Sequence, residues 1–327
     1  MKAKFIGAGS PLVDVLARVD DAFVESVGGE KGGMIMVDHD QLDAIIARLE
    51  NQEVAPGGSA SNTLIGLMKL GETGAFLGKV GSDQRGEYFV RAFEEAGGTV
   101  HAFKECPTTP TGTCISLVTP DTQRTLRPYL GAAALLSTDE VTPVDFEGCT
   151  HAHLEGYMLF NYDLAIKTLH SAKEAGCTVS LDLAAFEVVQ ANSEVLAEIL
   201  DQYVDMVFAN EDEAQAWCGS EDPQVALDSL SKYCEVVAVK QGPEGAWVRK
   251  GEETVFVDTF KVKALDTTGA GDLWASGFLY GLYNDLGLEK SAKLGAKIGS
   301  EVVQIMGAVI PDEGWERINQ FLNELRG

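Results

Sequence analysis

The sequence predicts an α/β protein, a three-layer doubly wound mostly parallel sheet with a small β-sheet lid. Three observations lead there. From residue 150 onward, short continuously apolar runs such as Met206–Ala209 and Val236–Lys240 alternate with amphipathic segments of helical period. Strands of that kind are buried on both faces by the helices between them. Residues 99–130 break the alternation with short strand-like runs and no helix between them, which sets a small sheet apart. Finally, glycine-rich bends at Gly57-Gly58 and Gly269-Ala270-Gly271 each lead straight into a helix. In sheets of this class ligands bind beyond the carboxyl ends of the strands, where such bends sit. The 327 residues fit one large domain, 1–327, with a lid formed by about 12–38 and 99–130.

In order, residues 3–9 read as a strand ending in glycines. Gly7-x-Gly9 lacks the third glycine of a dinucleotide fingerprint, and Pro11 spoils a helix start. Asp14 follows among Leu12, Val13, Val15 and Leu16, a setting in which a carboxylate needs donors. Residues 15–38 read as irregular and strand-like, broken at Gly28-Gly29 and Gly32-Gly33. A short helix is expected over 41–49. Another opens at Gly57-Gly58-Ser59 and carries Leu64, Leu67 and Met68. A strand over 74–80 and a helix over 83–96 complete that unit. Gly78-Lys79 has the wrong spacing for a P-loop and no following hydroxyl residue. Strand-like runs at 100–104, 114–119 and 125–129 form the separate sheet. Strands at 151–154, 177–183, 206–209 and 236–240 then alternate with helices at 162–175, 193–200, 211–218 and 223–232. A hairpin over 245–257, a helix after Asp272 and a helix over 290–305 close the pattern.

Fifty acidic against 25 basic residues give a net charge of −25, which disfavours nucleic acid and anionic membranes as partners. No apolar run reaches membrane-span length and no secretory h-region opens the chain, so a cytoplasmic protein is expected. Six scattered cysteines without a Cys-x-x-Cys pair fit a reducing compartment. His151 and His153 share one strand face without further ligand types, so they read as a structural pair.

The stretch Asp266-Thr267-Thr268-Gly269-Ala270-Gly271-Asp272 carries the chemistry. A flexible turn opening a helix points unpaired N–H groups outward at the positive end of the helix dipole, an anion site. Asp272, an ionised acid in its first turn, would be repelled by a phosphate there unless it takes a proton from the group that attacks it.

Taken together, the Gly57-Gly58 bend with Asn62 and the Asp-Thr-Thr-Gly-Ala-Gly-Asp run at 266–272 resemble the paired signatures of the ribokinase/PfkB family of carbohydrate and nucleoside kinases. The resemblance spans nearly the whole chain. It includes Asn210-x-x-Glu213 and Gly242-x-x-Gly245 in the family's order. Gly-Ser-Pro-Leu-Val-Asp (9–14), Gly-Gly-Ser-Ala-Ser-Asn (57–62) and Pro-Thr-Gly-Thr-Cys (110–114) are most similar to the adenosine kinase-like branch. Ribokinases carry a lysine where Ser59 stands. The resemblance implies that Asp272 is the base and that the amides of Gly269, Ala270 and Gly271 hold the charge on the phosphoryl group. It implies that Asp14, Gly57, Gly58, Ser59, Asn62 and Arg124 contact the acceptor. ATP would lie along Asn210, Glu213, Gly242, Gly245, Thr267 and Thr268. Asn210 and Glu213 would hold Mg2+ through water, and Asp266 would serve a monovalent cation such as K+. Tyr157, Phe160 and Phe186 suit an adenine ring but read as core.

The expected reaction moves the γ-phosphoryl of ATP to a primary hydroxyl of a ribose-containing acceptor, adenosine or a close analogue, in a monomer or homodimer. A sugar kinase acting on ribose, fructose or a sugar acid is the alternative. A silent nucleoside- or sugar-binding protein would have no need of Asp272.

Overall fold

The computed structural model describes residues 4–121 and 123–327. Residues 1–3, which include the start of the first expected strand, and Thr122 of the expected lid lie outside the described residues. The chain begins with β1 (Phe5–Ala8), β2 (Leu12–Arg18), α1 (Asp21–Ser26), α2 (His39–Ile46), β3 (Glu53–Gly57), α3 (Ser59–Lys69), β4 (Gly74–Gly81) and α4 (Gln84–Glu95). Four strands follow: β5 (Gly98–Thr99), β6 (Phe103–Cys106), β7 (Gly112–Val118) and β8 (Arg124–Tyr129). The alternating half runs β9 (His151–Glu155), α5 (Tyr162–Glu174), β10 (Thr178–Asp182), α6 (Phe186–Ala191), α7 (Leu196–Tyr203), β11 (Met206–Ala209), α8 (Glu211–Cys218), α9 (Pro223–Leu230) and β12 (Val236–Lys240). The hairpin β13 (Ala246–Lys250) and β14 (Glu253–Val257) precedes α10 (Ala270–Tyr283), α11 (Leu288–Val302) and α12 (Asp312–Arg326).

The main sheet has the order β14-β13-β12-β11-β10-β9-β1-β4-β5, with β6 also on β4. It is parallel except for the β12-β13-β14 edge. One face packs Phe5, Phe76, Phe208 and Ala238 under Leu67, Leu273, Phe278 and Ile298 of α3, α10 and α11. The other packs Ile6, Leu154, Leu181 and Val207 against Leu169, Leu200 and Leu227 of α5, α7 and α9. Each strand must therefore be apolar on both sides, which is why its sequence does not alternate.

A second, four-stranded sheet runs β3-β2-β7-β8. Its outer face is closed by Val24, Leu42 and Ile45 of α1 and α2, packed on Val15, Ile115 and Leu117. Residues 33–37 extend its edge, with Ile35 N–H donating to Leu126 O and Val37 N–H to Pro128 O.

Several expectations are corrected. Residues 12–18 form a regular strand, and the stretch after it includes the helix α1, capped by Asp20. β3 belongs to the small sheet because Leu12 to Leu16 pair with it. The run near 100–104 joins the main sheet instead: Phe103 stacks on Phe76 at 5.7 Å inside a cluster with Phe89 and Phe93. The helices α6 and α12 were not anticipated; α12 buries Trp315, Ile318 and Leu322.

Candidate active site

Half of the α-helices start at a polar side chain that accepts a first-turn amide, such as Asp83, Asn161 and Asn210. The helices α3 and α10 start at glycines with positive φ, Gly58 at 90° and Gly269 at 70°, and no side chain caps either. No capping side chain of their own takes up their first-turn amides, although Ala60 N donates to Glu155 and Ala270 N to Thr267 O. Gly58 has no alternative, since a Cβ there would strike the carbonyl of Ser10. Gly57 lies against the carboxyl of Asp14, which a side chain would displace.

The two openings meet. Asp272, in the first turn of α10, accepts from Ser59 Oγ at 2.7 Å and from Asn62 Nδ2 at 2.9 Å. Thr63 Oγ1 also donates to the Asp272 carbonyl at 3.0 Å. Burial raises the Asp272 pKa above the usual carboxylate value; Asn62 opposes it, Asp182 adds to it, and Ser59 and Lys240 oppose it. Asp14 is pushed up to about 7 by burial, against Arg124 and with the help of Asp272 and Asp266. Of the three expected anion-hole amides, that of Ala270 is engaged by Thr267 O.

Arg124 reaches from β8 in the small sheet to Thr268 Oγ1, with Asp266 Oδ1 3.9 Å away. Asp266 is buried and accepts from Thr268 N and Oγ1 at 2.9 and 2.6 Å and from Gly307 N at 2.8 Å. This carboxylate therefore holds its own loop to the turn after α11. Three acceptor positions are used and a guanidinium stands beside them. That arrangement does not fit a dedicated cation ligand, and no step is assigned to K+.

Asn210 and Glu213 form a reciprocal capping box at α8, with both bonds at 2.8 Å. Glu213 is buried, and burial followed by Asp182 lifts it to about 7 while Lys240 opposes the rise. No cluster of three or more His, Cys, Asp or Glu side chains forms a metal cage among the described residues. One Glu213 oxygen remains outside the capping box, which fits a hydrated Mg2+ held through water rather than by direct ligation. Gly242 has φ 47° and an open approach. Gly245 is required for another reason: a Cβ would strike the carbonyl of Val257 on β14. Thr267 is exposed on the rim.

The sequence reading missed two buried residues, Glu155 and Asp182, and the half-buried Lys240. Glu155, at the end of β9, accepts from Ser10 N at 2.8 Å and Ala60 N at 3.2 Å and so joins the β1–β2 turn to the start of α3. Asp182 and Lys240 end β10 and β12 and pair at 2.8 Å. Their signal was available: a charged residue closing an otherwise apolar strand on the sheet's carboxyl rim. Tyr157, Phe160 and Phe186 are not core. They are 36, 62 and 42% exposed at that rim, with Tyr157 Oη donating to Ala184 O. His151 and His153 are buried and both bond Ser180 Oγ, a structural arrangement. Lys79 pairs with Glu140 and touches no anion hole. Among the described residues no helix is long and apolar enough to cross a membrane.

Known proteins share this fold. A probable sugar kinase from Rhizobium etli superposes with a TM-score of 0.90 at 29% identity, covering 99% of this chain and 100% of that one. An adenosine kinase from Sinorhizobium meliloti gives 0.88 at 31%, covering 98 and 99%. Adenosine kinase of Saccharomyces cerevisiae is 29% identical over 341 residues, 96% of this chain and 98% of that protein. Residues 30–314 match the family described as pfkB family carbohydrate kinase. The chain belongs to that family and, with it, to the phosphotransferases that act on an alcohol group.

Proposed function

We propose that the protein is a nucleoside kinase that transfers the γ-phosphoryl of Mg-ATP to the primary ribose hydroxyl of adenosine or a close analogue. The observation that carries this is Asp272 held between Ser59 and Asn62, with the Asp14 carboxyl near enough for the two charges to act on each other. The acceptor hydroxyl gives its proton to Asp272 as its oxygen bonds to the γ-phosphorus. The bond from that phosphorus to the β,γ-bridging oxygen breaks, and ADP leaves with the electron pair. Burial suits Asp272 to this role by raising its pKa toward working pH. A loose transition state asks more of positioning than of basicity, and two side-chain bonds position this acid. Asn210 and Glu213 would hold Mg2+ through water, and the ion would supply charge neutralisation at the phosphates. Asp14 and Asn62 take the sugar hydroxyls, and the small sheet closes as a lid so that water does not compete.

A nucleobase needs apolar flanks, and the surroundings offer them. The face of the small sheet that carries Asp14 also carries Leu126, which is bridged to Met34. Met34 and Met36 are about half exposed, and Tyr157 and Phe186 are partly exposed at the carboxyl rim of the main sheet. A free sugar would leave these groups unused. A sugar kinase is the second reading, favoured by the likeness to the probable sugar kinase of Rhizobium etli.

The test is ADP release from Mg-ATP with a panel of nucleosides and free sugars. Turnover with adenosine and none with sugars is expected. Turnover with sugars alone would replace the nucleoside by a sugar as acceptor, and binding without turnover would end the kinase reading.

A further inference from the structure

The carboxyl rim gathers acids. Asp14, Glu155, Asp182, Glu213 and Asp272 all lie within electrostatic reach of one another's neighbours. A polyphosphate cannot settle there without cations. Two are in place: Arg124 on the small sheet and Lys240 at the end of β12. Arg124 is occupied with Thr268 and Asp266. Lys240 is not fully occupied. Its side chain is 13% exposed, and among the described residues Nζ has a single hydrogen-bond acceptor, Asp182 Oδ2 at 2.8 Å. An ammonium has three N–H donors, so two remain.

Their location is specific. A Cβ built on Gly271 would lie 2.9 Å from Lys240 Nζ, so the ammonium rests against the backbone of the residue whose amide opens the α10 anion hole. Any side chain at 271 would push the lysine away. The glycine there serves the fit of a lysine as well as the turn, a constraint that no helix geometry imposes on its own. Asp182 fixes Nζ from the far side, and its other oxygen accepts Ala184 N at 3.0 Å.

We propose that Lys240 is a catalytic cation whose free N–H groups bind the non-bridging oxygens of the transferring phosphoryl group beside the Gly271 amide. It forms and breaks no covalent bond. It offsets the charge spread over those oxygens as the bond to ADP lengthens. Preorganised donors of this kind act without reorganising at the moment of reaction. The inference rests on the kinase reading above.

Removing Lys240 alone would strand Asp182 as a buried unpaired charge and could unfold the protein. The test therefore uses the double variant Lys240→Met/Asp182→Asn beside Asp182→Asn alone, which keeps the acceptor for Ala184 N. Expected are an unchanged thermal midpoint for both, acceptor affinity within about twofold, and a kcat lowered on the order of 100-fold in the double variant, well beyond the loss in Asp182→Asn. A second measurement needs no turnover: the wild type should prefer the β,γ-imido analogue of ATP over ADP, and the double variant should lose that preference. If the double variant fails to fold, Lys240→Gln/Asp182→Asn restores a neutral hydrogen-bonded pair and is read in the same way. A double variant with wild-type kcat and preference overturns the proposal. So does an Asp182→Asn variant as slow as the double, since the pair would then be structural. A wild type that phosphorylates no acceptor sinks the kinase reading itself, before any variant is compared.

Discussion

Asn62 Nδ2 donates to Asp272 Oδ2 at 2.9 Å across 210 residues of sequence. This contact joins the first turns of α3 and α10, two of the three helices that open on uncapped glycines. It makes the acid part of both halves of the opening, and most of the expected behaviour follows from it.

Asp272→Asn should keep the shape and the two donors while removing the base. Acceptor affinity by calorimetry is expected to change little, with kcat lower by on the order of 10²–10⁴-fold. Near-normal turnover would exclude Asp272 as the base.

Asn62→Ala removes a bond that pulls the Asp272 pKa down. The acid must be deprotonated to act, so activity is lost as pH falls through its pKa. The acid limb of the kcat profile should therefore move to higher pH in the variant. A limb that stays in place or moves down would contradict the role of this bond.

Arg124→Ala should loosen the small sheet, because it removes the bond to Thr268 and the charge beside Asp266. A hydrogen bond to a charged donor is worth about 1.5–3 kcal/mol. We expect the acceptor KM to rise about tenfold or more, with the thermal midpoint nearly unchanged. A KM equal to that of the wild type would show that this contact does not hold the lid.

Glu301 gives a stability test away from the chemistry. Its burial would raise its pKa, but hydrogen bonds from Arg317 and Lys297 outweigh that and lower it below the ordinary 4.5. A depressed carboxylate contributes stability above its unfolded pKa and loses it as pH falls through the folded value. Glu301→Gln should thus cost about 1 kcal/mol at neutral pH, the scale of a partly solvated ion pair. The gap from wild type should close in acid, as urea titrations at neutral pH and near pH 3 would reveal. A gap that persists in acid would assign the loss to packing.

Much of this protein is determined locally. Apolar strands with helices between them can form only a covered parallel sheet, and Met206–Ala209, Glu211–Cys218 and Val236–Lys240 form where their own residues place them. The glycines that open α3 and α10 are likewise legible locally, since only glycine takes their positive φ without strain. Tertiary structure decided the rest. Phe103 took β6 into the main sheet because an aromatic cluster from β4 and α4 awaited it. Gly245 answers to a carbonyl on β14 and Gly271 to an ammonium on β12. The partners of Asp272, Asp182 and Arg124 come from distant segments that no local pattern relates. A side chain's charge can be read from the sequence, but what stands opposite it depends on strand order, and that is settled only when the sheet assembles.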